Sequence, residues 1–230
     1  KEVEKEKQVV LEEIRMVQDD PEDLVQELHM KHTLGSHPLG RSILGQAKRI
    51  QALDRNDLLA YVQSHYDPEQ TVVAVAGNFS WRRLERLLAK YFSAPHKGAP
   101  VRPHRWPPEV NGGVLVQRKP LEQVHLCLGL QGLGAGHKDR YAAHALNGVL
   151  GGSVSSRLFQ EVREKRGLVY SIYSFLSAYS DGGMITVYAG TRAKEVQRVV
   201  ELVCRELRKL RMQGIDAKDL ARVKNQMKGS

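Results

Sequence analysis

The sequence has little cysteine and no long apolar run. Cys127 and Cys204 are the only cysteines in 230 residues, too few for a disulfide framework or, by themselves, for a zinc site. We expect both to be buried free thiols in apolar surroundings, and a single disulfide between them is the alternative. No apolar stretch approaches the roughly 18 residues of a membrane-spanning helix, so we expect no membrane span. The charged start, KEVEKEKQVV, does not resemble a secretion signal.

Aromatic residues are also few, at 6% of the chain, although the net charge is +9. Residues 113–230 carry 19 Lys and Arg against 10 Asp and Glu, and a basic surface of this kind can bind nucleic acid. The aromatic side chains that would stack on bases are not interleaved with these charges. We therefore interpret them as the solvated face of amphipathic helices and expect no nucleic-acid partner.

A proline-rich segment, residues 94–112, predicts a linker between residues 1–93 and residues 113–230. The first part reads as helices with one apolar strand, TVVAVAGNF. The second part reads as strands with helices between them: GVLVQRKP, QVHLCLGLQG, and the pair LVYSIYSFLSAY and MITVYAGT around the hairpin signal SDGG. This order predicts an α+β fold with helices packed on mainly antiparallel sheets.

The first helix places two carboxylates within an apolar arc. At about 100° per residue, Glu6 and Glu13 fall in the same arc as the apolar residues Val3, Val10, Ile14 and Val17. Burying two carboxylates costs several kcal/mol without compensation. Salt bridges to buried arginines or a groove that stays wet would explain them structurally, and a metal ligand with a neighbouring acid would explain them functionally.

Five segments in order resemble one known family: EKEKQVVLEEI, HPLGRSILG, YVQSHYDPEQTVVAVAGNF, DRYAAHALNGVLGGSVSSRLFQEVREKRGLVYSIYS and YAGT. Together they resemble the pitrilysin or insulinase family of zinc metallopeptidases, and most closely its mitochondrial-processing-peptidase type with bacterial relatives. The resemblance implies two homologous repeats. It also implies that Glu13 is a zinc ligand and that Glu6 is the acid accompanying it in catalysis.

The sequence departs from that family in one respect, because H-x-x-E-H, which supplies two histidine ligands and the general base, does not occur. We therefore expect residues 1–93 to be the C-terminal part of the first, zinc-binding repeat and residues 113–230 the N-terminal part of the second. Catalytic zinc needs three protein ligands and an open position. We expect zinc in the intact parent, and not in this chain alone.

The resemblance also assigns residues within and after the glycine-rich loop GVLGGSVSS. It implies that Arg163 and Tyr170 act on substrate in the zinc cleft, and that Gly151 and Gly152 contact substrate. From the residues alone, Arg163 reads as a solvated helix residue and Tyr170 as a sheet aromatic. Gly167 between them predicts a left-handed helix end. The loop matches no phosphate-binding motif and reads as a tight turn.

The sequence thus predicts a piece of a zinc-dependent endopeptidase that cleaves extended peptides or targeting segments, inactive by itself. The alternative is a non-catalytic, substrate-binding partner subunit of a heteromeric peptidase. A nucleic-acid-binding protein is the weakest alternative. The expected partner is a peptide substrate, and both a homodimer and a heterodimer stay open.

Overall fold

The computed structural model describes residues 1–67, 71–92 and 106–229. Within these ranges the helices are α1 Glu2–Asp19, α2 Pro21–Leu34, α3 Ala47–Ala52, α4 Arg55–His65, α5 Trp81–Phe92, α6 Arg140–Leu150, α7 Val196–Gln213 and α8 Ala217–Gly229. A π-helical segment covers Phe159–Glu164, and two 3₁₀ turns cover Pro38–Gly40 and Ala193–Glu195. The strands are β1 Val124–Gly132, β2 Val169–Ala178 and β3 Gly183–Thr191.

The three strands form one antiparallel sheet in the order β1-β3-β2. β2 and β3 are a hairpin, as the SDGG signal predicts, and β1 pairs with the other edge of β3 from Val124 opposite Thr191 to Gly132 opposite Gly183. Helices and a small antiparallel sheet make up the fold, so the predicted α+β class is confirmed.

The main core lies between the sheet and the helices that follow β1. Val149 and Leu150 of α6, Leu158 before the π-helical segment, and Val199 and Val203 of α7 are essentially inaccessible to water. In α7 the spacing of four between Val199 and Val203 puts both on one face of the helix. The amphipathic pattern of the sequence is therefore the one that builds this core.

Local sequence signals set the start of α2. The Asp20 carboxylate accepts hydrogen bonds from the backbone N–H groups of Glu22 and Asp23, and Pro21 occupies the first helical position. Both features satisfy or avoid unpaired N–H groups at a helix start. They fix the start of α2 and leave a single residue, Asp20, between α1 and α2.

Two predicted strands are wrong for this chain. The segments TVVAVAGNF and GVLVQRKP form no strand where the structure describes them, and their apolar side chains are exposed, with Val72 at 92% and Val114 at 89%. An apolar run gives strand propensity, but a strand also needs a hydrogen-bonded neighbour. In the described part of the chain neither segment has one.

The chain divides into two compact units. One consists of Lys1–Glu12 with Gly45–Arg105, and the other of Glu13–Leu44 with Trp106–Ser230. The second unit takes α2 from the predicted first part and the sheet from the predicted second part. Most of the proposed linker lies outside the described residues. Compact units are defined by contacts, whereas homologous repeats are defined by common ancestry. The units therefore do not test the assignment of residues 1–93 and 113–230 to two repeats, which stays a prediction.

No helix in the described ranges is both long and apolar enough to cross a bilayer.

The core assignment predicts a large effect at Leu158, which is fully buried. Leu158→Ala should lower the free energy of unfolding by about 2–5 kcal/mol, through lost burial and the cavity left behind. Met212 on α7 is 80% exposed, and Met212→Ala should change it by less than about 0.5 kcal/mol. Urea unfolding followed by circular dichroism measures both. Equal unfolding midpoints for the two variants would contradict this core.

Candidate functional site

The structure corrects the predicted burial of Glu6 and Glu13. Both side chains are exposed on α1, whose buried positions are Leu11 and Ile14. At about 100° per residue, Glu6 and Glu13 lie roughly 80° and 100° from Ile14 around the helix axis. They therefore sit at the edge of the apolar arc rather than at its centre. The roles of Glu13 as a zinc ligand and of Glu6 as an accompanying acid stay predictions, now without burial as their argument.

The described residues do not assemble a metal site. In residues 1–67, 71–92 and 106–229, no three His, Cys, Asp or Glu side chains lie close enough together to hold an ion. A carboxylate is a suitable zinc ligand, but Glu13 alone is one ligand of the three that a catalytic site needs. Any zinc site that uses Glu13 must draw its other ligands from elsewhere.

Arg163 and Tyr170 meet at the junction between the π-helical segment and β2. The Arg163 Nε donates a hydrogen bond of 2.9 Å to the Tyr170 carbonyl oxygen, and the guanidinium lies over the Phe159 ring at 4.7 Å. Gly167 turns the chain between them with φ +59°, the left-handed conformation that its position predicts. The helix end and the strand start are thus held together by one arginine.

Tyr170 is a bulge residue. Along β2, Val169 pairs with Thr191 and Ser171 pairs with Gly190, so Tyr170 has no partner on β3. A bulge removes a residue from the ladder and redirects its side chain. The Tyr170 carbonyl finds its donor in Arg163, while the side chain is 76% exposed. The phenol is therefore free to meet a ligand, on a backbone that is fixed.

A cleft of about 250 Å³ opens beside this junction. Its walls are the turn from Gly167 to Tyr170, the end of β3 at Thr191 and Arg192, and Gln123 just before β1. The Thr191 hydroxyl donates to the Leu168 carbonyl at 2.6 Å and ties the two walls together. We call this the junction cleft. It has both apolar and polar walls, and Tyr170 and Arg192 are among the residues that line it.

Gly151 and Gly152 behave differently from each other. Gly151 is buried, and its carbonyl accepts a 3.0 Å hydrogen bond from the Ser174 N–H of β2. A Cβ on Gly151 would come within 2.6 Å of the Ser174 backbone nitrogen. Gly152 is exposed. The structure gives Gly151 a packing role, and substrate contact by either glycine stays a prediction.

Sequence reasoning missed a polar stripe on α2. Glu22, Gln26 and His29 follow helical spacing and face the sheet. The Tyr173 hydroxyl donates to the Glu22 carboxylate and accepts from Gln26 Nε2 at 3.0 Å, and His29 Nε2 lies 3.3 Å from the Thr186 hydroxyl. The i, i+4, i+7 spacing of polar residues was the available signal, since it predicts one polar helix face.

Burial and charge at this interface shift several pKa values. Burial raises the pKa of Tyr173 and of Tyr188, and hydrogen bonds to Glu22 raise both further. Burial lowers the pKa of His29, and the nearby His32 adds to that effect. Burial and the negative charge of Glu22 raise the pKa of the Cys127 thiol to about 12. A tyrosine is protonated at neutral pH even without such a shift, and these shifts keep both phenols protonated at higher pH as well.

Comparison with known proteins identifies relatives across the whole chain. A family model described as "Peptidase M16 inactive domain" matches residues 52–227, a range that includes Arg163 and Tyr170 and that begins after Glu6 and Glu13. Bacillus subtilis has an "Uncharacterized zinc protease YmxG" that is 43% identical over 229 residues. A zinc protease of Streptomyces coelicolor, also uncharacterized, is 38% identical over 238 residues.

The chain spans about half the length of these curated relatives. The Bacillus subtilis match covers 100% of this chain and 56% of the relative, and the Streptomyces coelicolor match covers 99% of this chain and 51% of the relative. Two solved structures share its fold. The peptidase M16 inactive domain from Pseudomonas fluorescens superimposes with a TM-score of 0.88 at 27% identity, over all of this chain and 56% of that one. A protease from Helicobacter pylori superimposes with a TM-score of 0.83 at 23% identity, over 99% of this chain and 56% of that one.

The packing of Gly151 against β2 predicts a stability effect without any ligand. Gly151→Ala should lower the free energy of unfolding by about 1–3 kcal/mol, because the new Cβ overlaps the Ser174 backbone. Gly136 is the control, since a Cβ there meets no atom within 4 Å. Thermal unfolding of Gly151→Ala and Gly136→Ala measures the difference. If Gly151→Ala is as stable as the control, the loop does not pack as described.

The raised pKa of Cys127 predicts an unreactive thiol. With a pKa of about 12, roughly one thiol in ten thousand is ionised at pH 8, and the thiolate is the reactive form. In a Cys204→Ser variant, Cys127 should react with an aromatic disulfide reagent far more slowly when folded than after denaturation in urea. Equal rates in the two states would contradict the burial of this side chain.

Proposed function

The chain belongs to the M16 peptidase family, and we propose that it is part of a zinc-dependent endopeptidase that acts on extended peptides. The observation that carries this proposal is the junction of Arg163 and Tyr170. It presents an exposed phenol at the rim of the junction cleft on a backbone fixed by the arginine. The names of the bacterial relatives, which are zinc proteases, support the reaction class.

The contribution of this chain is to bind and orient the peptide. During amide hydrolysis negative charge develops on the carbonyl oxygen, and a phenol hydroxyl can donate to it. The Arg163 guanidinium has five N–H donors, of which Nε is used by the Tyr170 carbonyl. Its Nη1 lies 3.5 Å from the Glu164 carboxylate, and a peptide carbonyl or carboxylate would share or replace that exposed ion pair. Zinc, held by the whole protein, would supply the activated water.

The edge of β2 limits where an extended peptide can add as a strand. β2 is at one edge of the sheet, with β3 as its neighbour. The Tyr170 carbonyl already accepts from Arg163, and the Ser174 N–H already donates to Gly151. Since strand addition uses such main-chain groups, the first half of this edge is closed. We propose that the peptide meets the Tyr170 side chain at the cleft instead of pairing along that stretch.

A second candidate function is a non-catalytic, substrate-binding subunit. The exposure of Glu13 favours it, because a subunit without zinc needs no buried carboxylate at that position. The family model that matches the chain also describes an inactive domain. In this case Arg163 and Tyr170 would bind peptide while another subunit holds the metal.

The experiment is a peptidase assay on the whole protein with an internally quenched extended peptide. We expect turnover that a chelator abolishes and zinc restores. Tyr170→Phe should lower kcat by about 10²–10³-fold through loss of one oxyanion donor. Tyr141→Phe, another exposed tyrosine of the same compact unit, should leave turnover unchanged. This chain expressed by itself should not hydrolyse the peptide.

The same measurement separates the two functions. About one tightly bound zinc per chain, with turnover by the protein alone, supports the endopeptidase. Absence of zinc, with turnover only after a second subunit is added, supports the substrate-binding subunit. Equal turnover by the wild type and Tyr170→Phe would remove Tyr170 from both mechanisms.

A further inference from the structure

Helix α2 is fastened to the sheet through polar side chains. Glu22 and Gln26 meet on one hydroxyl, that of Tyr173, which donates to the first and accepts from the second. The hydroxyl therefore acts both as a hydrogen-bond donor and as an acceptor. The Tyr173 ring also lies 4.9 Å from the Tyr188 ring of β3. This contact joins α2 to two strands at once.

The sheet is shaped to let the helix approach. A Cβ on Gly129 of β1 would fall within 2.4 Å of the His29 ring, so a side chain at this position would force that ring to move. On the other side of Tyr173, the Tyr188 hydroxyl lies 2.8 Å from His125 Nδ1. Buried polar groups of this kind destabilise an interface unless each has a partner. The partners are present here, and they specify a single alignment of α2 on the sheet.

The position of this contact in the chain links it to the candidate site. Tyr173 lies three residues along β2 from Tyr170, and Glu22 lies at the start of the helix that follows α1 after Asp20 alone. Glu13 is on α1, within the same compact unit as α2 and the sheet. The hydrogen bonds at the Tyr173 hydroxyl therefore connect the helix pair that carries the predicted zinc ligand to the strand that carries the predicted substrate tyrosine.

We propose that Glu22 and Tyr173 are positioning residues, which hold α2 and the end of α1 on strand β2 and so fix the orientation of Tyr170 towards the peptide. We call their hydrogen-bonded contact the clasp. This proposal rests on the proposed peptide-binding function. Neither residue touches the peptide. They act through the backbone of β2, which Arg163 fixes at Tyr170 and the clasp fixes at Tyr173.

The test compares E22A, E22Q, Y173F and the control D23A in the whole protein. Asp23 is the next residue on α2, and its side chain is exposed. E22A and Y173F should raise KM for the extended peptide about five- to tenfold, the size expected for the loss of one typical hydrogen bond. E22Q keeps an acceptor oxygen and should stay within about threefold of wild type, and D23A should match wild type.

A merely structural contact would give a different result. If KM is unchanged in E22A and Y173F while only the melting temperature falls, the positioning role is wrong. It is also wrong if E22Q is as impaired as E22A, because the acceptor would then not be what matters. All rates are normalised to the folded fraction, measured by circular dichroism.

A second readout keeps the clasp separate from the proposed function. Amide hydrogen exchange across residues 169–174 should be about fivefold faster in E22A than in D23A, because Tyr173 loses one of its two hydrogen bonds to α2. If the wild type hydrolyses no peptide but this exchange difference is found, the proposed function fails and the clasp stands as a link between α2 and β2. If the exchange is the same in both variants, the clasp itself is overturned.

Discussion

The Tyr170 carbonyl needs a hydrogen-bond donor from outside the sheet, and much of the candidate site follows from this constraint. The bulge takes Tyr170 out of register with β3, and a polar backbone group without a partner is costly where water is partly excluded. Arg163 supplies the donor from the preceding helical turn. The same bond orients the arginine, fixes the start of β2 and leaves the phenol on the outside. At Tyr170 the position of the β2 backbone is thus set by the Arg163 side chain and not by pairing with β3.

The polar interface of α2 adds a second constraint on the same strand. An apolar helix face can slide or rotate on a sheet at modest cost, whereas donors and acceptors must align. Glu22, Gln26 and Tyr173 therefore select one placement of α2. Both interface phenols are protonated across the physiological pH range, as tyrosines ordinarily are, and their raised pKa values extend that protonation to higher pH. Strand β2 is held at Tyr170 from one side and at Tyr173 from the other.

Much of the architecture could be predicted from the sequence, because local signals determine it. Asp20 and Pro21 mark the start of α2, SDGG marks the hairpin, and the apolar spacing of α7 marks its buried face. The predictions that failed depend on residues far away in sequence. TVVAVAGNF and GVLVQRKP have strand propensity without a paired neighbour, and Glu13 lies beside an apolar arc whose extent the helix alone does not define. Arg163 and Tyr170 were identified through the family resemblance. The hydrogen bond between them depends on a β-bulge and a π-helical turn, and no local sequence pattern predicts either feature.

The π-helical segment sets the direction in which Arg163 points. Its width is visible in the hydrogen bond from the Lys165 N–H to the Gln160 carbonyl, five residues back instead of four, and such wide turns often occur at functional sites. One residue more or less in a helix rotates everything after it by about 100°. Removing one residue ahead of Arg163 would therefore turn its side chain away from the start of β2. The bond to the Tyr170 carbonyl depends on the length of this turn as well as on the arginine itself.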